Sequence, residues 1–97
     1  MTGDERIRTE LARLLHQRRA TLLVDVGLLE TFRRSGGSVD AARGAAHRLA
    51  GTLGLFGLSE LGQMASELDE RIGEESDSVQ LLLEHFVDRA TAELVSD

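Results

Sequence analysis

The chain has 97 residues, with 17 acidic and 11 basic side chains and a formal net charge of −6. This length suffices for one small domain, and the negative charge argues against non-specific nucleic-acid binding, which needs a basic surface. The absence of cysteine excludes disulfides and thiolate metal sites, and no apolar run is long enough for a membrane span. We therefore expect a single cytoplasmic domain over residues 1–97, a monomer with no nucleic-acid or membrane partner.

The first predicted helix runs from about Asp4 to Arg34, because apolar residues recur there every three or four positions. Proline is absent and aromatic residues are few, which favours an all-α chain over a β-sheet domain. Gly27, together with the off-stripe apolar residues Leu23, Val24 and Leu28, indicates either a break that divides this long helix or a second buried face. Gly36 and Gly37 are expected to end the helix. The apolar stripe comprises Ile7, Leu11, Leu14, Leu15, Leu22, Val26, Leu29 and Phe32.

Three shorter helices are predicted after this turn. The second begins near Ser38 or Asp40, which are both good N-cap residues, and the third begins near Ser59 and ends at Gly73. Short connections favour antiparallel neighbours, so the expected fold is an antiparallel four-helix bundle. The predicted core positions are Val39, Ala42, Ala46, Leu49 and Leu53, then Leu61, Met64, Ala65, Leu68 and Ile72, then Val79, Leu82, Leu83, Phe86, Ala90 and Leu94.

His47 is the candidate functional residue, because its helical neighbours carry very little side chain. The small neighbours are Gly44, Ala50, Gly51 and Gly54. Each glycine inside a helix costs roughly 1 kcal/mol relative to alanine, so a compensating role is expected. One such role is close helix packing. The other is a cleared surface on which an imidazole stands accessible to a second macromolecule.

The helical wheel places His47 at the flank of the second helix, about 110–120° from the centre of its apolar face. Side chains on a helix lean toward its N-terminus, so the residue at i+4 normally covers the residue at i. Gly51 occupies that position and has no side chain with which to cover the ring. A neutral imidazole held there is able to act as a nucleophile.

The segment around His47 resembles the signature of histidine phosphotransfer (HPt) domains. The pattern is Ala-His-x-Leu-(Lys or Ala)-Gly, a small residue, and a second glycine six residues after the first. The order of the helices also resembles the family, and residues 1–15 are the least diagnostic part. The matching residues are Ala46, His47, Leu49, Ala50, Gly51, Thr52 and Gly57.

The resemblance implies a phosphoryl carrier in a two-component phosphorelay. His47 would accept a phosphoryl group, on Nε2, from an aspartate of one response-regulator receiver domain and pass it to another. The expected partners are such receiver domains and a hybrid or sensor histidine kinase. The resemblance further implies no ATP site, no autonomous catalytic activity and no cofactor, with magnesium belonging to the receiver.

One position departs from the family pattern. Many family members carry lysine three residues after the histidine, where this chain has Ala50. Arg43 and Arg48 flank His47 and are candidates to supply the missing cation, with Arg43 the nearer in direction. Both arginines are equally well interpreted as solvated surface charge.

Other functions receive less support from the sequence. The three histidines lie on different segments and none has metal-ligand spacing, so His16 and His85 are interpreted as surface residues. The main alternative is a non-catalytic helical interaction module, in effect a degenerate phosphotransfer domain. Another is the phosphoacceptor domain of a chemotaxis-type kinase, although the chain's start at Met1 and end at Asp97 favour a small standalone protein.

A docking surface beside His47 is also predicted, because the sequence has more apolar residues than one core can bury. An exposed apolar patch with a polar rim at Arg43 and Arg48 would suit a transient interface. The surplus apolar residues are Leu23, Val24 and Leu28 on the first helix, and Leu53, Leu55, Phe56 and Leu58 near the end of the second.

Overall fold

The computed structural model describes residues 3–95, which form four helices and no strand within that range. These are α1 (Gly3–Ser35), α2 (Val39–Leu55), α3 (Ser59–Arg71) and α4 (Asp77–Val95). Each helix packs against two others, so that α1 and α3 each contact both α2 and α4. The predicted antiparallel four-helix bundle is therefore confirmed. Among these helices, none has the length and apolar character needed to cross a membrane.

The first helix continues without a break through Gly27, so the suggested division of this segment in two is wrong. Gly27 lies on the exposed side of α1, where an added Cβ would meet no atom within 4 Å. Helical hydrogen bonding continues past a single glycine, and the apolar residues on either side share one buried face. The first buried residue of α1 is Leu22, so the helix enters the core only in its second half.

The core is built from most of the residues in the predicted apolar stripes. The exceptions are Ile7, which is exposed, and the half-buried residues Leu11, Leu14, Leu15, Phe32, Val39, Met64 and Leu82. The members of the core are almost all leucine, alanine and valine, with Phe86 as the largest fully buried side chain. Ala45 and Val87 are also buried, although the stripes did not include them. The buried apolar residues are Leu22, Val26, Leu29, Ala42, Ala45, Ala46, Leu49, Leu53, Leu61, Ala65, Leu68, Ile72, Val79, Leu83, Phe86, Val87, Ala90 and Leu94.

The turns follow the local sequence. Gly36 and Gly37 have φ angles of 73° and 115°, a left-handed region that glycine adopts without strain, and they end α1 as predicted. Ser38 is the N-cap of α2 and accepts a hydrogen bond from the main-chain N–H of Ala41 at 3.1 Å. Ser76 does the same for α4, accepting from the N–H of Val79 at 3.3 Å.

Helices α2 and α3 approach each other closely at a pair of glycines. Gly62 of α3 is buried, and a Cβ built on it would lie 3.1 Å from the main-chain nitrogen of Gly54 and 3.4 Å from the carbonyl oxygen of Ala50. Both atoms belong to the backbone of α2, which moves only with the whole helix. The missing side chain at Gly62 therefore sets the spacing between the two helices.

The glycine contact generates a paired stability prediction. Alanine at an open helical glycine should stabilise the fold by up to about 1 kcal/mol, whereas overpacking at a tight contact costs about 1–3 kcal/mol. We expect Gly62→Ala to lower the free energy of unfolding and Gly51→Ala, which meets no atom within 4 Å, to raise it. Urea denaturation of both variants measures the difference. Equal stabilisation by the two substitutions would show that Gly62 does not set the helix spacing.

Candidate functional site around His47

His47 lies on the flank of α2 that faces α3, and its side chain is 78% exposed. Its Nδ1 atom is 3.0 Å from Oδ2 of Asp69, a half-buried residue of α3. A helix backbone fixes the position of the ring and a second helix fixes its rotation. The imidazole is thus both accessible and oriented.

The Asp69 contact determines which ring nitrogen carries the proton in the neutral imidazole. An ionised carboxylate only accepts hydrogen bonds, so Nδ1 must be the donor to Asp69. The remaining lone pair is then on Nε2, the outer nitrogen. The ring therefore presents an exposed nitrogen that can act as a nucleophile. If this nitrogen forms a bond to another atom, the ring becomes positively charged, and that charge would lie near the carboxylate of Asp69.

Arg43 forms a hydrogen bond with the same α3 residue that contacts His47. Its Nε donates to the main-chain oxygen of Asp69 at 3.2 Å, and its Nη1 lies 3.9 Å from Oδ1 of Asp40. The first contact holds Arg43 on the α3 side of the helix, and the second is a loose surface ion pair of little energetic weight. The positive charge of Arg43 is therefore only weakly neutralised by a carboxylate, and it lies on the side of α2 that carries the imidazole of His47.

Arg48 lies on the opposite flank, where it pairs with Asp25 of α1. Its Nη2 is 2.9 Å and its Nε 3.3 Å from Oδ1 of Asp25, a residue that is only 7% exposed. This hydrogen-bonded carboxylate raises the pKa of Arg48 above its ordinary value. Arg48 also folds back over Gly44, so that a Cβ there would be 3.2 Å from its Nη1. The charge of Arg48 is therefore engaged in an ion pair with Asp25, and this ion pair links α2 to α1.

The small residues around His47 have two different roles. Ala50 and Gly54 permit the close approach of Gly62 described above, so they serve helix packing. Gly44 is half-buried beneath Arg48. Gly51 and Gly54 are both exposed and have open space where a side chain would be, and of the two Gly51 lies nearer to His47 along the helix. The cleared surface beside the ring therefore comprises Gly51 and, further along α2, Gly54, but not Gly44, which Arg48 covers.

A shallow groove of about 440 Å³ runs between α2 and α3 beside His47. Gly51 and Gly54 form one wall, and Gly62, Gln63 and Ser66 contribute to the other. The groove exists because glycine and serine leave the backbone uncovered on both helices. A partner approaching the ring can thus reach the helix surface itself.

The surplus apolar residues are divided between core and surface. Leu53 is fully buried, whereas Leu23, Phe56 and Leu58 are half-buried. The exposed ones are Val24 and Leu28 on α1 and Leu55 at the end of α2. The apolar surface that remains for a partner therefore lies on the α1 side of the His47 helix.

The two halves of the bundle differ in charge. Residues 3–55, which contain α1 and α2, have nine arginines and six carboxylates, whereas residues 59–95 have two arginines and ten carboxylates. His47 stands at the boundary between the halves. An acidic partner is attracted to the face of α1 and α2 and repelled by that of α3 and α4.

Two residues that pair with candidate site residues were not predicted from the sequence: Asp69, the partner of His47, and Asp25, the partner of Arg48. Asp69 lies in an acidic stretch that has the pattern of a solvated helix end, and Asp25 interrupts an apolar run. Neither their spacing nor their chemistry identifies their partners, which lie 22 and 23 residues away along the chain. His16 and His85 are exposed, as expected. Within residues 3–95 no cluster of three or more His, Asp or Glu is placed to hold a metal ion.

Comparison with known proteins agrees with this geometry. The sequence profile of the Hpt domain family matches residues 5–96, almost the whole chain. No curated protein and no solved structure matches the chain. The match covers all four helices and includes the exposed histidine of α2 with the glycines that follow it, and the chain is therefore a member of the Hpt domain family, whose members serve phosphotransfer in two-component signalling.

Proposed function

We propose that this protein is a phosphoryl carrier of a cytoplasmic phosphorelay, with His47 as the residue that accepts and donates the phosphoryl group. The observation that carries the proposal is the exposed imidazole held by Asp69 through Nδ1, which leaves Nε2 as the nucleophile. The donors and acceptors are aspartates of response-regulator receiver domains, and a hybrid or sensor histidine kinase stands upstream.

The transfer step follows from this geometry. The Nε2 lone pair attacks the phosphorus of an aspartyl phosphate, the new N–P bond forms, and the acyl P–O bond breaks with its electrons going to the aspartate carboxylate. The imidazole ring gains positive charge while its Nδ1 proton stays in place. The carboxylate of Asp69, 3.0 Å away, stabilises this charge, and the same steps in reverse pass the phosphoryl group on.

The receiver domain supplies the rest of the chemistry in this proposal. The protein itself acts as a carrier without an ATP site or a cofactor, and magnesium is bound by the receiver. An aspartyl phosphate lies among acidic residues that hold the metal, so the receiver's docking face would be acidic at its centre. Such a face matches the basic side of the bundle formed by α1 and α2, where Val24 and Leu28 provide exposed apolar contacts.

Arg43 takes the place of the lysine that is absent at Ala50. It is fixed through Asp69, beside the ring, and its only ion pair within residues 3–95 is the loose one with Asp40. Arg48 is less suited, because releasing it would leave the buried Asp25 without its partner. The cation near the phosphoryl group therefore comes from the α3 side of His47.

The first prediction concerns the acceptor itself. In His47→Gln, uptake of phosphate from a phosphorylated receiver domain should be lost, because glutamine offers no ring nitrogen to attack phosphorus. Radiolabelled phosphoryl transfer measures this, with His16→Gln and His85→Gln as controls that retain full uptake. Wild-type protein should hold the label in a form that is stable to base and labile to acid. Uptake that survives in His47→Gln would refute the assignment, and a wild-type protein that binds receivers without uptake would identify an interaction module.

A second prediction tests Asp69. Without its carboxylate the ring loses both its orientation and a stabilising charge, so Asp69→Ala should slow transfer at least about tenfold. Glu70→Ala, which removes a neighbouring exposed carboxylate, should transfer at the wild-type rate. Nitrogen-15 NMR of the imidazole should also show a shift away from the Nδ1–H tautomer in Asp69→Ala. An unchanged tautomer and rate would show that the hydrogen bond has no part in the reaction.

A third prediction tests whether Gly51 keeps the surface beside the His47 ring open or instead serves helix packing. Glutamine at this position leans over the ring of His47, so Gly51→Gln should slow transfer by more than tenfold while thermal unfolding stays near that of wild type. Gly51→Ala serves as the control and should transfer normally. A loss of thermal stability in Gly51→Gln would instead assign this glycine to packing.

A further inference from the structure

Most of the first half of α1 lies outside the core, and it meets the other helices only toward its C-terminal end, where Leu15 packs against the core and Leu11 and Leu14 lie beside the end of α2. We call residues 3–20 the N-terminal arm; none of them is buried. The molecule is 50 Å long, which matches the 33 residues of α1, whereas α2 and α4 span only about 25–29 Å at 1.5 Å per residue. The arm therefore projects beyond the end of the bundle at which α2 and α4 terminate.

The arm carries an apolar face that residues 3–95 cover only in part, since Leu11 and Leu14 are half-buried and Ile7 is exposed. Ile7, Leu11 and Leu14 follow one another at spacings of four and three, so they lie on one side of the helix. Ile7 is 59% exposed. At the root of the arm, Leu11 and Leu14 form a groove of about 410 Å³ with two residues from the end of α2, Leu55 and Phe56. Leu55 is 71% exposed, so the groove continues into the apolar face of the arm.

The arm carries five arginines and three carboxylates, and the two charged residues in line with its apolar face have opposite signs at the two ends of that face. Asp4 lies at the tip, and Arg18 lies at the root beside the groove. In residues 3–95 neither side chain forms an ion pair with another residue. Two identical arms side by side would place like charges together in a parallel pair, but Asp4 against Arg18 in an antiparallel pair. The arm is thus complementary to a second copy of itself in one orientation.

We propose that two copies of the chain associate through antiparallel pairing of their N-terminal arms. Ile7 of each copy enters the groove of the other, between Leu14 and Leu55, and Asp4 of each copy lies near Arg18 of the other. The two-fold axis passes near the middle of the arms, so every contact occurs twice. The monomer expected from the sequence is then one state of a concentration-dependent equilibrium.

The size of this surface indicates a weak dimer. Each copy contributes only a few apolar side chains, so the interface belongs at the low end of the range for specific complexes, below about 1,200 Å² in total. The groove is separate from the phosphoryl site, since Leu55 lies eight residues from His47, about 12 Å along α2.

Sedimentation velocity of the full chain between about 1 µM and about 1 mM tests the association. The wild-type protein should change from monomer to dimer over this range. Ile7→Glu, which buries a charge in the groove, should raise the dissociation constant at least tenfold. Leu81→Glu is the matched control, because Leu81 is 60% exposed on α4 and lies outside the arm, and it should leave the equilibrium unchanged. A wild-type monomer at every concentration, or a dimer indifferent to Ile7→Glu, would overturn the proposal.

A charge exchange tests the antiparallel orientation. Asp4→Arg and Arg18→Asp should each weaken the dimer, because each places like charges opposite one another. The double variant should recover most of the wild-type affinity, since the two pairs are restored with their signs reversed. Circular dichroism of each variant shows whether the arm remains helical. Two weakened single variants without recovery in the double variant would exclude antiparallel pairing.

Discussion

The close approach of α2 and α3 at Gly62 is the constraint on which the site depends. Because Gly62 has no side chain, the backbone of α3 lies against Gly54 and Ala50 of α2. The side chain of Asp69, seven residues further along α3, can then reach the ring of His47 at 3.0 Å. A wider spacing would leave the imidazole free to rotate. The packing of α2 against α3 thus determines the orientation of the His47 ring, and the ring's contact with Asp69 determines which nitrogen is left as the nucleophile.

A second attachment holds the other flank of the same helix. Arg48 and Asp25 join α2 to α1 across a half-buried ion pair, in which the buried carboxylate needs the guanidinium as its partner. Helix α2 is therefore fixed on both sides, to α3 through its glycines and to α1 through Arg48. For the proposed carrier, such a rigid base would place the reacting nitrogen before the partner arrives.

Different regions of the protein surface are suited to different partners. The acidic residues of α3 and α4 discourage an acidic partner on one side, while the arginines and exposed apolar residues of α1 and α2 favour it on the other. The N-terminal arm lies beyond the end of the bundle, away from the His47 region. Phosphoryl transfer and self-association would therefore use different parts of α1.

The sequence by itself determined the helices, the core and the candidate histidine. Apolar spacing of three and four residues, together with the glycines and serines at the turns, is local information, and local information is sufficient to place helices and their buried faces. Local information was insufficient at Gly27. This glycine suggested a break, but α1 is continuous because the apolar residues on both sides of it share one buried face. Only the tertiary structure decided the partners of His47, Arg43 and Arg48. Asp69 and Asp25 are distant along the chain, and a contact between two helices depends on their spacing and rotation, which a single helical pattern does not contain.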